Sequence, residues 1–400
     1  MEAYIYDAIR TPRGATKNNG SLREMAPVHY VSQLFHALEA RNELSLKEVN
    51  DIVLGCVTQI REQGGNIAKV AALFAGLPNT IPGMTVNRYC ASGLDAVLIA
   101  AAKVKAGMDE LVIAGGVESS SRVPMFSDEA SWFSDPEVAT KTNFIHMGLA
   151  ADLMASLSGF TREDLDQYAF ESHERAEHAY QQGFFDRSLI PVYDHDSKEL
   201  LDKDELIRPD TTMEKLAALK PSFSEKHVRG MKSQIKLEFQ HVEEISHLHH
   251  AGNSPTLADG ASLILIGSKE KGKRLGLTPR ARIVASTNVA DHPFLLGGGQ
   301  KAAEAVLKKA GLTIEDIDLF EFNEAFAATV IKFQRDFGLE RDQLNPNGGV
   351  IAMGHALGAT GGMLICTLLD ELERRNQRRG LVAISGAAGV GTALIIERVV

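Results

Sequence analysis

The sequence predicts an α/β protein that is built from two similar halves, with a large insertion between them. Strand-like and helix-like segments alternate, which is typical of a mostly parallel sheet with helices on its faces. The pattern of residues 1–121 returns after residue 273, with a period far longer than that of a solenoid repeat. Residues 122–244 have another texture: they are polar and poor in buried-strand patterns.

Hydrophobic periodicity predicts the elements in order. In the first half we expect a strand at 2–8, a helix at 26–42, a strand at 52–55, a helix at 66–77, a helix from Cys90 to Lys105 and a strand at 110–114. In the insertion, Thr161 caps a helix at 162–182. In the second half we expect a strand at 280–285, a helix at 300–310, a turn at 347–361 that opens a helix, and strands at 381–385 and 391–399.

These patterns predict an N-terminal half of residues 1–121 plus 245–272, an insertion at 122–244 and a C-terminal half at 273–400. Two similar halves should pack about a pseudo-twofold axis. The two turns that open helices, one at Cys90 and one near His355, would then face each other.

Composition narrows the classes of function. The net charge is −10, so non-specific binding to nucleic acid or to an anionic membrane is not expected. No apolar run reaches the length of a membrane span, and no secretory leader follows Met1. The three cysteines have no close-pair spacing, which favours a reducing compartment, the cytoplasm, and argues against structural zinc.

Cys90 is the first candidate for chemistry. It follows a short apolar segment and comes where the next helix is predicted to begin. Free N–H groups and the helix dipole at such a position favour the nucleophilic thiolate, so we expect a lowered pKa. The alternative is a small buried core residue, which is the commoner fate of an isolated free cysteine. For Cys56 and Cys366, in contrast to Cys90, our interpretation is core packing.

Three glycine-rich loops supply further candidates, at residues 323–327, 354–358 and 385–391. His355 is flanked by glycine at a turn into a helix, and it is a candidate base for Cys90, although a lone histidine is more often structural. The basic residues between Lys220 and Lys236 form either a solvated face or a cradle for a phosphorylated ligand. Glycine spacing around His355 does not fit a dinucleotide-binding loop.

Five segments together resemble the signatures of the thiolase family, which comprises acetyl-CoA acetyltransferases and 3-ketoacyl-CoA thiolases. They appear in family order over almost the whole chain, and they are Asn87-Arg-Tyr-Cys-Ala-Ser-Gly-Leu, Gly116-Val-Glu-Ser, Ala251-Gly-Asn-Ser, Asn323-Glu-Ala-Phe-Ala and Asn347-Gly-Gly-Val-Ile-Ala-Met-Gly-His. The resemblance implies the thiolase fold, an α-β-α-β-α layered structure with an inserted loop domain that covers coenzyme A.

The resemblance also implies roles. Cys90 would take the acyl group as a thioester, and His355 would remove the Cys90 proton. Asn323 would hold a water that forms an oxyanion hole with His355, and the backbone amides of Cys90 and Ala387 would form a second hole. Residues implied in binding acyl-CoA or CoA are His146, Met147, Gly252, Ser254, Ala325 and Phe326, to which the basic run adds Lys226 and Arg229. No metal and no tightly bound cofactor are implied, and family members are usually homodimers or homotetramers.

The sequence departs from its family at four places. Ser385 stands where a second cysteine usually acts as acid and base, and a hydroxyl is a much weaker acid than a thiol. Ala356 stands where the family usually has a proline, and Pro255 stands where it usually has a serine. Residues 296–300 replace a segment that more commonly contains Gly-Pro. Three hypotheses follow: a thiolase slowed by Ser385, an acyltransferase or condensing enzyme of the same fold with a different acceptor, and a non-catalytic acyl-CoA-binding homologue. Acyl chain length and the direction of the reaction are not readable from the sequence.

Overall fold

The computed structural model describes residues 1–17, 19–223, 232–240, 242 and 244–399. Its strands are β1 (Tyr4–Arg10), β2 (Gly14–Ala15), β3 (Asp51–Gly55), β4 (Met84–Val86), β5 (Leu111–Ser119), β6 (Val192–Tyr193), β7 (Glu199–Leu201), β8 (Ala258–Gly267), β9 (Ala281–Ala290), β10 (Leu319–Phe322), β11 (Arg379–Ser385) and β12 (Val390–Arg398). Its helices are α1 (Pro27–Arg41), α2 (Ile67–Phe74), α3 (Ser92–Lys105), α4 (Ser131–Ser134), α5 (Pro136–Lys141), α6 (Met147–Ser158), α7 (Arg162–Gln181), α8 (Met213–Ala217), α9 (Lys232–Glu238), α10 (Lys269–Leu275), α11 (Gly298–Ala310), α12 (Ala327–Phe337), α13 (Val350–Met353) and α14 (Leu357–Arg374).

The sheet shows the duplication directly. Its strand order is β10-β11-β12-β9-β1-β8-β5-β3-β4, with β2 beside β8. In the first half β3 and β5 are parallel, while β5–β8 and β8–β1 are antiparallel. In the second half β10 and β11 are parallel, while β11–β12 and β12–β9 are antiparallel. The two half-sheets repeat one topology, and this confirms the predicted pair of halves.

A short pairing between β1 and β9 joins the two half-sheets. The sequence did not predict this pairing. Tyr4 pairs with Arg282 and Ile5 with Ala281, so β1 and β9 make one continuous sheet out of two. Helices α3 and α14 lie between the inner faces of the half-sheets, in one apolar core. Helices α1 and α2 cover the outside of the first half, and α11 and α12 cover the second. The predicted α-β-α-β-α layering is therefore present.

The two central helices touch near their N-termini. A Cβ atom at Gly93 would lie 2.5 Å from the carbonyl oxygen of Gly358, and one at Gly361 would lie 2.1 Å from the backbone nitrogen of Leu94. Both positions therefore require glycine, because no side chain fits at that distance. The turns that precede the two helices consequently face each other, as predicted.

Three of the predicted element bounds differ from the structure for reasons that its contacts show. The helix after Cys90 begins at Ser92, because Tyr89 takes a φ of 50° and the Ser92 hydroxyl accepts the N–H of Arg88. Strand β5 runs on through its glycines to Ser119, since β8 lies so close that a Cβ at Gly115 would be 2.0 Å from the carbonyl oxygen of Ser262. Strand β9 extends to Ala290, because its outer residues pair with β12.

Buried carboxylates tie the insertion to both halves. Asp204 accepts hydrogen bonds from the guanidinium groups of Arg10, at 2.9 Å, and of Arg13, at 3.0 Å. Glu324, in the second half, accepts from the hydroxyl of Tyr168 at 2.8 Å and from that of Ser172 at 3.0 Å, both on α7. The insertion therefore packs against the regions that carry the candidate site. The three domain boundaries stay a prediction.

Candidate active site

Cys90 lies in the turn between β4 and α3. The Asn87 side chain accepts the N–H of Tyr89 at 2.8 Å, and the N–H of Arg88 donates to the Ser92 hydroxyl at the same distance. These bonds fix the turn that precedes the helix. They leave the Cys90 side chain 6% exposed, at a pocket of about 160 Å³. A thiol held there can reach a bound molecule but little bulk water.

The pKa of Cys90 corrects our expectation. Burial, together with the nearby carboxylate of Glu118, raises it to about 12, so the helix terminus does not produce a resting thiolate. The thiol is protonated at neutral pH and needs a base before it can attack. Cys56 and Cys366 are also buried, and burial raises the pKa of each, but neither lines the Cys90 pocket.

His355 has the properties of that base. Its N–H donates to the carbonyl of Thr256 at 2.8 Å, and its carbonyl accepts from Ala258 at 3.1 Å, so the backbone is fixed on both sides. Nδ1 lies 2.8 Å from the hydroxyl of Thr360, whereas Nε2 is buried and has no hydrogen-bond partner. Burial, with the charge of Arg13, lowers the pKa of His355 to about 3. A neutral imidazole with one free nitrogen can accept a proton.

Asn323 directly follows β10 and is fully buried. Its N–H donates to the carbonyl of Ala383 at 3.0 Å, which fixes the backbone to β11. Its side-chain oxygen and nitrogen both lack a partner. A buried unpaired polar group costs about 1–3 kcal/mol. The amide is therefore ready to bind a water or a ligand atom, which would remove that cost.

Ser385 ends β11, and its hydroxyl is already engaged. The hydroxyl donates to the carbonyl of Leu296 at 2.7 Å and accepts the N–H of Gly299 at 2.9 Å, near the start of α11. Ala387 follows in a short 3₁₀ turn and lines the same pocket as Cys90. A Cβ at Gly386 would lie 3.3 Å from the carbonyl oxygen of Arg88, so this loop packs on the Cys90 turn.

The residues implied in CoA binding lie on three neighbouring segments. His146 caps α6, where its Nδ1 accepts the N–H of Gly148 at 3.3 Å, and the next residue, Met147, lines the Cys90 pocket. Phe223 connects two of the segments, because its ring centroid is 5.2 Å from that of His146 and 6.0 Å from that of Phe326.

The third segment contains Gly252 and Ser254. The N–H of Gly252 donates to Nδ1 of His250 at 2.9 Å, and the buried Ser254 hydroxyl has no partner. The carbonyl of Asn253 accepts the N–H of Ala327 at 3.2 Å, which attaches this segment to the loop of Asn323 and the buried Ala325. Lys226 and Arg229 lie outside the described residues.

Both halves of the chain match models of a known protein family. A family model described as "Thiolase, N-terminal domain" matches residues 3–231, and one described as "Thiolase, C-terminal domain" matches residues 277–398. The chain belongs to the thiolase family. The resemblance and the fold class predicted from the sequence are thereby confirmed.

Individual relatives are similar to this chain over almost their full lengths. The 3-ketoacyl-CoA thiolase of Cronobacter sakazakii is 39% identical over 408 residues, covering 99% of each chain. That of Salmonella typhimurium is 38% identical over 410 residues, covering all of both chains. The crystal structure of the Bacillus anthracis acetyl-CoA acetyltransferase superposes with a TM-score of 0.86 at 32% identity, and covers 100% of this chain and 99% of the other. The predicted class of enzyme, an acyltransferase, is confirmed.

Sequence reasoning missed how Glu118 organises this thiolase site. Its buried carboxylate accepts the N–H groups of Val57, Thr58 and Gly358 at 3.0, 3.2 and 2.9 Å. It thus connects the wall of the Cys90 pocket to the start of α14. The available signal was the position of an acidic residue at the end of an apolar strand, where a carboxylate needs donors.

Two histidine–carboxylate pairs were also missed. His249 Nδ1 is 2.7 Å from Asp152 on α6, and His250 Nε2 is 2.7 Å from Asp166 on α7. All four side chains are buried. They attach the insertion helices to the segment of Gly252. The signal was the group of three histidines at positions 247, 249 and 250, with Leu248 between them.

The described part of the chain lacks two further features. It contains no group of three or more His, Cys, Asp or Glu that could hold a metal ion. None of its helices is both long enough and apolar enough to cross a membrane.

Proposed function

We propose that this thiolase-family chain catalyses the reversible thiolytic cleavage of 3-ketoacyl-CoA, and in reverse the condensation of acyl-CoA with acetyl-CoA, through a thioester on Cys90. The observation that carries the proposal is that one of two turns whose helices touch holds a protonated thiol at a pocket, while the other holds a neutral imidazole whose Nε2 has no hydrogen-bond partner. The names of the full-length relatives, 3-ketoacyl-CoA thiolase and acetyl-CoA acetyltransferase, support it.

The first half-reaction acylates the cysteine. His355 Nε2 takes the thiol proton, and the sulfur attacks the ketone carbon of the substrate. The resulting oxyanion accepts hydrogen bonds from the backbone amides of Cys90 and Ala387, and each such donor contributes roughly 3–4 kcal/mol. The carbon–carbon bond then breaks, and acetyl-CoA leaves as an enolate that takes up the proton held by His355, which returns the imidazole to its neutral form.

The second half-reaction transfers the acyl group to coenzyme A. The CoA thiol loses its proton to His355 and attacks the Cys90 thioester, and Cys90 leaves and regains a proton. A water on the unpaired amide of Asn323, with His355, would stabilise the thioester oxygen. This use removes the cost of the unpartnered Asn323 side chain.

Ser385 limits the carbon–carbon step in this proposal. The acetyl enolate needs a proton donor. The Ser385 hydroxyl is already engaged, because it donates a hydrogen bond to the carbonyl of Leu296. Acyl exchange between Cys90 and CoA does not need that donor. The same observation favours a second candidate function, transfer of the acyl group to a different acceptor. The intact Cys90, Asn323 and His355 argue against a non-catalytic acyl-CoA-binding homologue.

CoA and acyl-CoA act as substrates in this proposal, and no tightly bound cofactor takes part. The pantetheine arm would lie against the segments of His146 and Met147, of Gly252 and Ser254, and of Ala325 and Phe326. Lys226 and Arg229 would hold the phosphates.

We also propose a cytoplasmic homodimer or homotetramer. Helix α2 exposes Val70, Leu73 and Phe74, with exposed fractions of 43, 46 and 53%, next to Met84 on the edge strand β4. Such an apolar patch beside an unpaired strand edge suits a second copy of the chain. The net charge of −10 does not favour nucleic acid as a partner.

The test is loss of acetoacetyl-CoA in the presence of CoA. We expect measurable cleavage by the unmodified chain, none by Cys90→Ala, and unchanged cleavage by Cys56→Ala, which removes a buried thiol outside the pocket. Cleavage that survives in Cys90→Ala would refute the thioester mechanism. Absence of cleavage together with acylation of Cys90 by acetyl-CoA would favour the different acceptor.

A further inference from the structure

Aromatic side chains form one wall of the pocket beside Cys90. Ring centroids are 5.2 Å apart for Tyr89 and Trp132, 4.9 Å for Trp132 and Phe144, 6.3 Å for Phe144 and Phe133, and 4.8 Å for Phe133 and Phe126. These separations lie in the range of favourable aromatic pairs. Four of the five rings come from residues 126–144 of the insertion, so this wall belongs to the insertion and is held by its own ring contacts.

The remaining lining is mostly apolar and lacks positive charge. It includes Met125, Ile145 and Leu357, its uncharged polar members are Thr58 and Asn87, and no Lys or Arg is among the described residues that line the pocket. The one charged lining residue is Asp128, which is exposed at the rim. A carboxylated acyl group would therefore lose its hydration without gaining a cation, and it would meet a like charge.

Volume limits the group that fits. The pocket measures about 160 Å³. An apolar protein cavity of about 150 Å³ takes up benzene. The space next to the Cys90 sulfur therefore accepts about six carbon atoms before the rings of Trp132, Phe133 and Phe144 have to move.

We propose that this pocket selects compact apolar acyl groups of up to about six carbons, a phenyl ring included, and rejects long-chain and carboxylated acyl groups. The inference rests on the proposed function, because it assumes that Cys90 carries the acyl group. Each methylene that enters the pocket should raise kcat/KM by roughly fourfold, the equivalent of one buried CH₂. Methylenes beyond the sixth carbon gain nothing, since they displace rings or remain in water.

The experiment follows acylation of Cys90 by intact-protein mass spectrometry, with acetyl-, butanoyl-, hexanoyl-, decanoyl-, palmitoyl-, benzoyl- and succinyl-CoA. This readout does not require carbon–carbon cleavage. We expect the rate of Cys90 acylation to rise from acetyl- to hexanoyl-CoA and to be high for benzoyl-CoA. For palmitoyl- and succinyl-CoA it should be at least tenfold lower than for hexanoyl-CoA. Equal rates for hexanoyl and palmitoyl, or a preference for succinyl, would overturn the proposal.

Two variants move the limit in opposite directions. Phe144→Ala enlarges the pocket and should shift the preferred chain toward decanoyl. Ala130→Leu fills it and should shift the preference toward acetyl; it keeps the test available if Phe144→Ala does not fold. Phe160→Ala is the matched control, because this half-buried ring packs on Arg335 outside the pocket. The same profile in all four proteins would show that the wall does not set chain length.

The two proposals fail differently. Cleavage of acetoacetyl-CoA with a flat acylation profile would retain the proposed function and overturn the size limit. A sharp profile with no cleavage of any 3-ketoacyl-CoA would retain the size limit and overturn thiolytic cleavage as the function.

Discussion

The two halves of the molecule place different chemistry at equivalent positions. In the first half the central helix α3 opens from the turn after the edge strand β4, and in the second half the central helix α14 opens from a turn after the short helix α13. The turn before α3 carries Cys90, whose pKa burial raises to about 12. The turn before α14 carries His355, whose pKa burial lowers to about 3. Burial disfavours the charged form of both groups, so it separates a proton donor from a proton acceptor.

The comparison indicates a thiol that is neutral at rest and needs a base before it can attack. At rest neither half carries a charge at its reactive atom, and the contact of Gly93 with Gly358 holds the two turns together. A resting thiolate would react with any electrophile that entered. A neutral pair transfers its proton when a substrate supplies the oxyanion to be stabilised.

The largest expected effect comes from removing the acceptor. His355→Ala should slow acylation of Cys90 by acyl-CoA about 10²–10⁴-fold, the usual contribution of a general base. Rapid-quench measurement of the acyl-enzyme checks this. His178→Ala, at an exposed position on α7, is the control and should leave the rate unchanged. An unchanged rate in His355→Ala would mean that another group takes the thiol proton.

The next effect concerns Ser385, which the resemblance to the thiolase family predicts to stand in place of a second cysteine. Ser385→Cys should raise the rate of acetyl-CoA condensation by about tenfold or more, on the scale of acid–base catalysis, with little change in acyl exchange. The N–H of Gly299 at the start of α11 would then face a thiol and favour its thiolate. Both reactions are measured in the two proteins.

Ser385→Ala separates chemistry from packing. It removes the hydroxyl that joins Leu296 to Gly299 and supplies no thiol. If it speeds condensation as much as Ser385→Cys does, the gain comes from a changed loop. If the unmodified chain condenses acetyl-CoA briskly and Ser385→Cys gains nothing, the acid–base group lies elsewhere.

A smaller effect is expected at Thr360, one turn into α14. Its hydroxyl lies 2.8 Å from His355 Nδ1 and is the only described partner of the ring. A bond at Nδ1 fixes which nitrogen is free to accept a proton. Thr360→Val should lower kcat about fivefold and leave KM for CoA unchanged, since one hydrogen bond is worth roughly 1 kcal/mol. Thr360→Ser should restore the rate, and failure to do so would point to packing instead.

The sequence predicts the features of this site that local motifs encode, and it misses those that depend on residues far apart in the chain. Cys90, His355 and Asn323 stand in local motifs, and the repeated strand and helix order predicts that the first two face each other. The pKa of Cys90 was predicted in the wrong direction, because helix position is local whereas desolvation depends on the whole core. Likewise the bond of Ser385 to Leu296 joins residues 89 positions apart, which no local pattern reveals.

The smallest expected effect is an absence of pH dependence, and it tests the comparison of the two halves most directly. A histidine of ordinary pKa, about 6.5, would lose its basic form as the pH falls from 8 to 5, and the rate of acylation would fall with it. With the pKa of His355 lowered to about 3, the neutral imidazole persists over that whole range. With the pKa of Cys90 raised to about 12, the thiol stays protonated over the same range. Since neither group titrates, the rate of Cys90 acylation under single-turnover conditions should change less than about twofold between pH 5 and pH 8. An inflection near pH 6.5 would show that the imidazole is not desolvated as described, and a rate that rises tenfold per unit would show attack by a thiolate formed without His355.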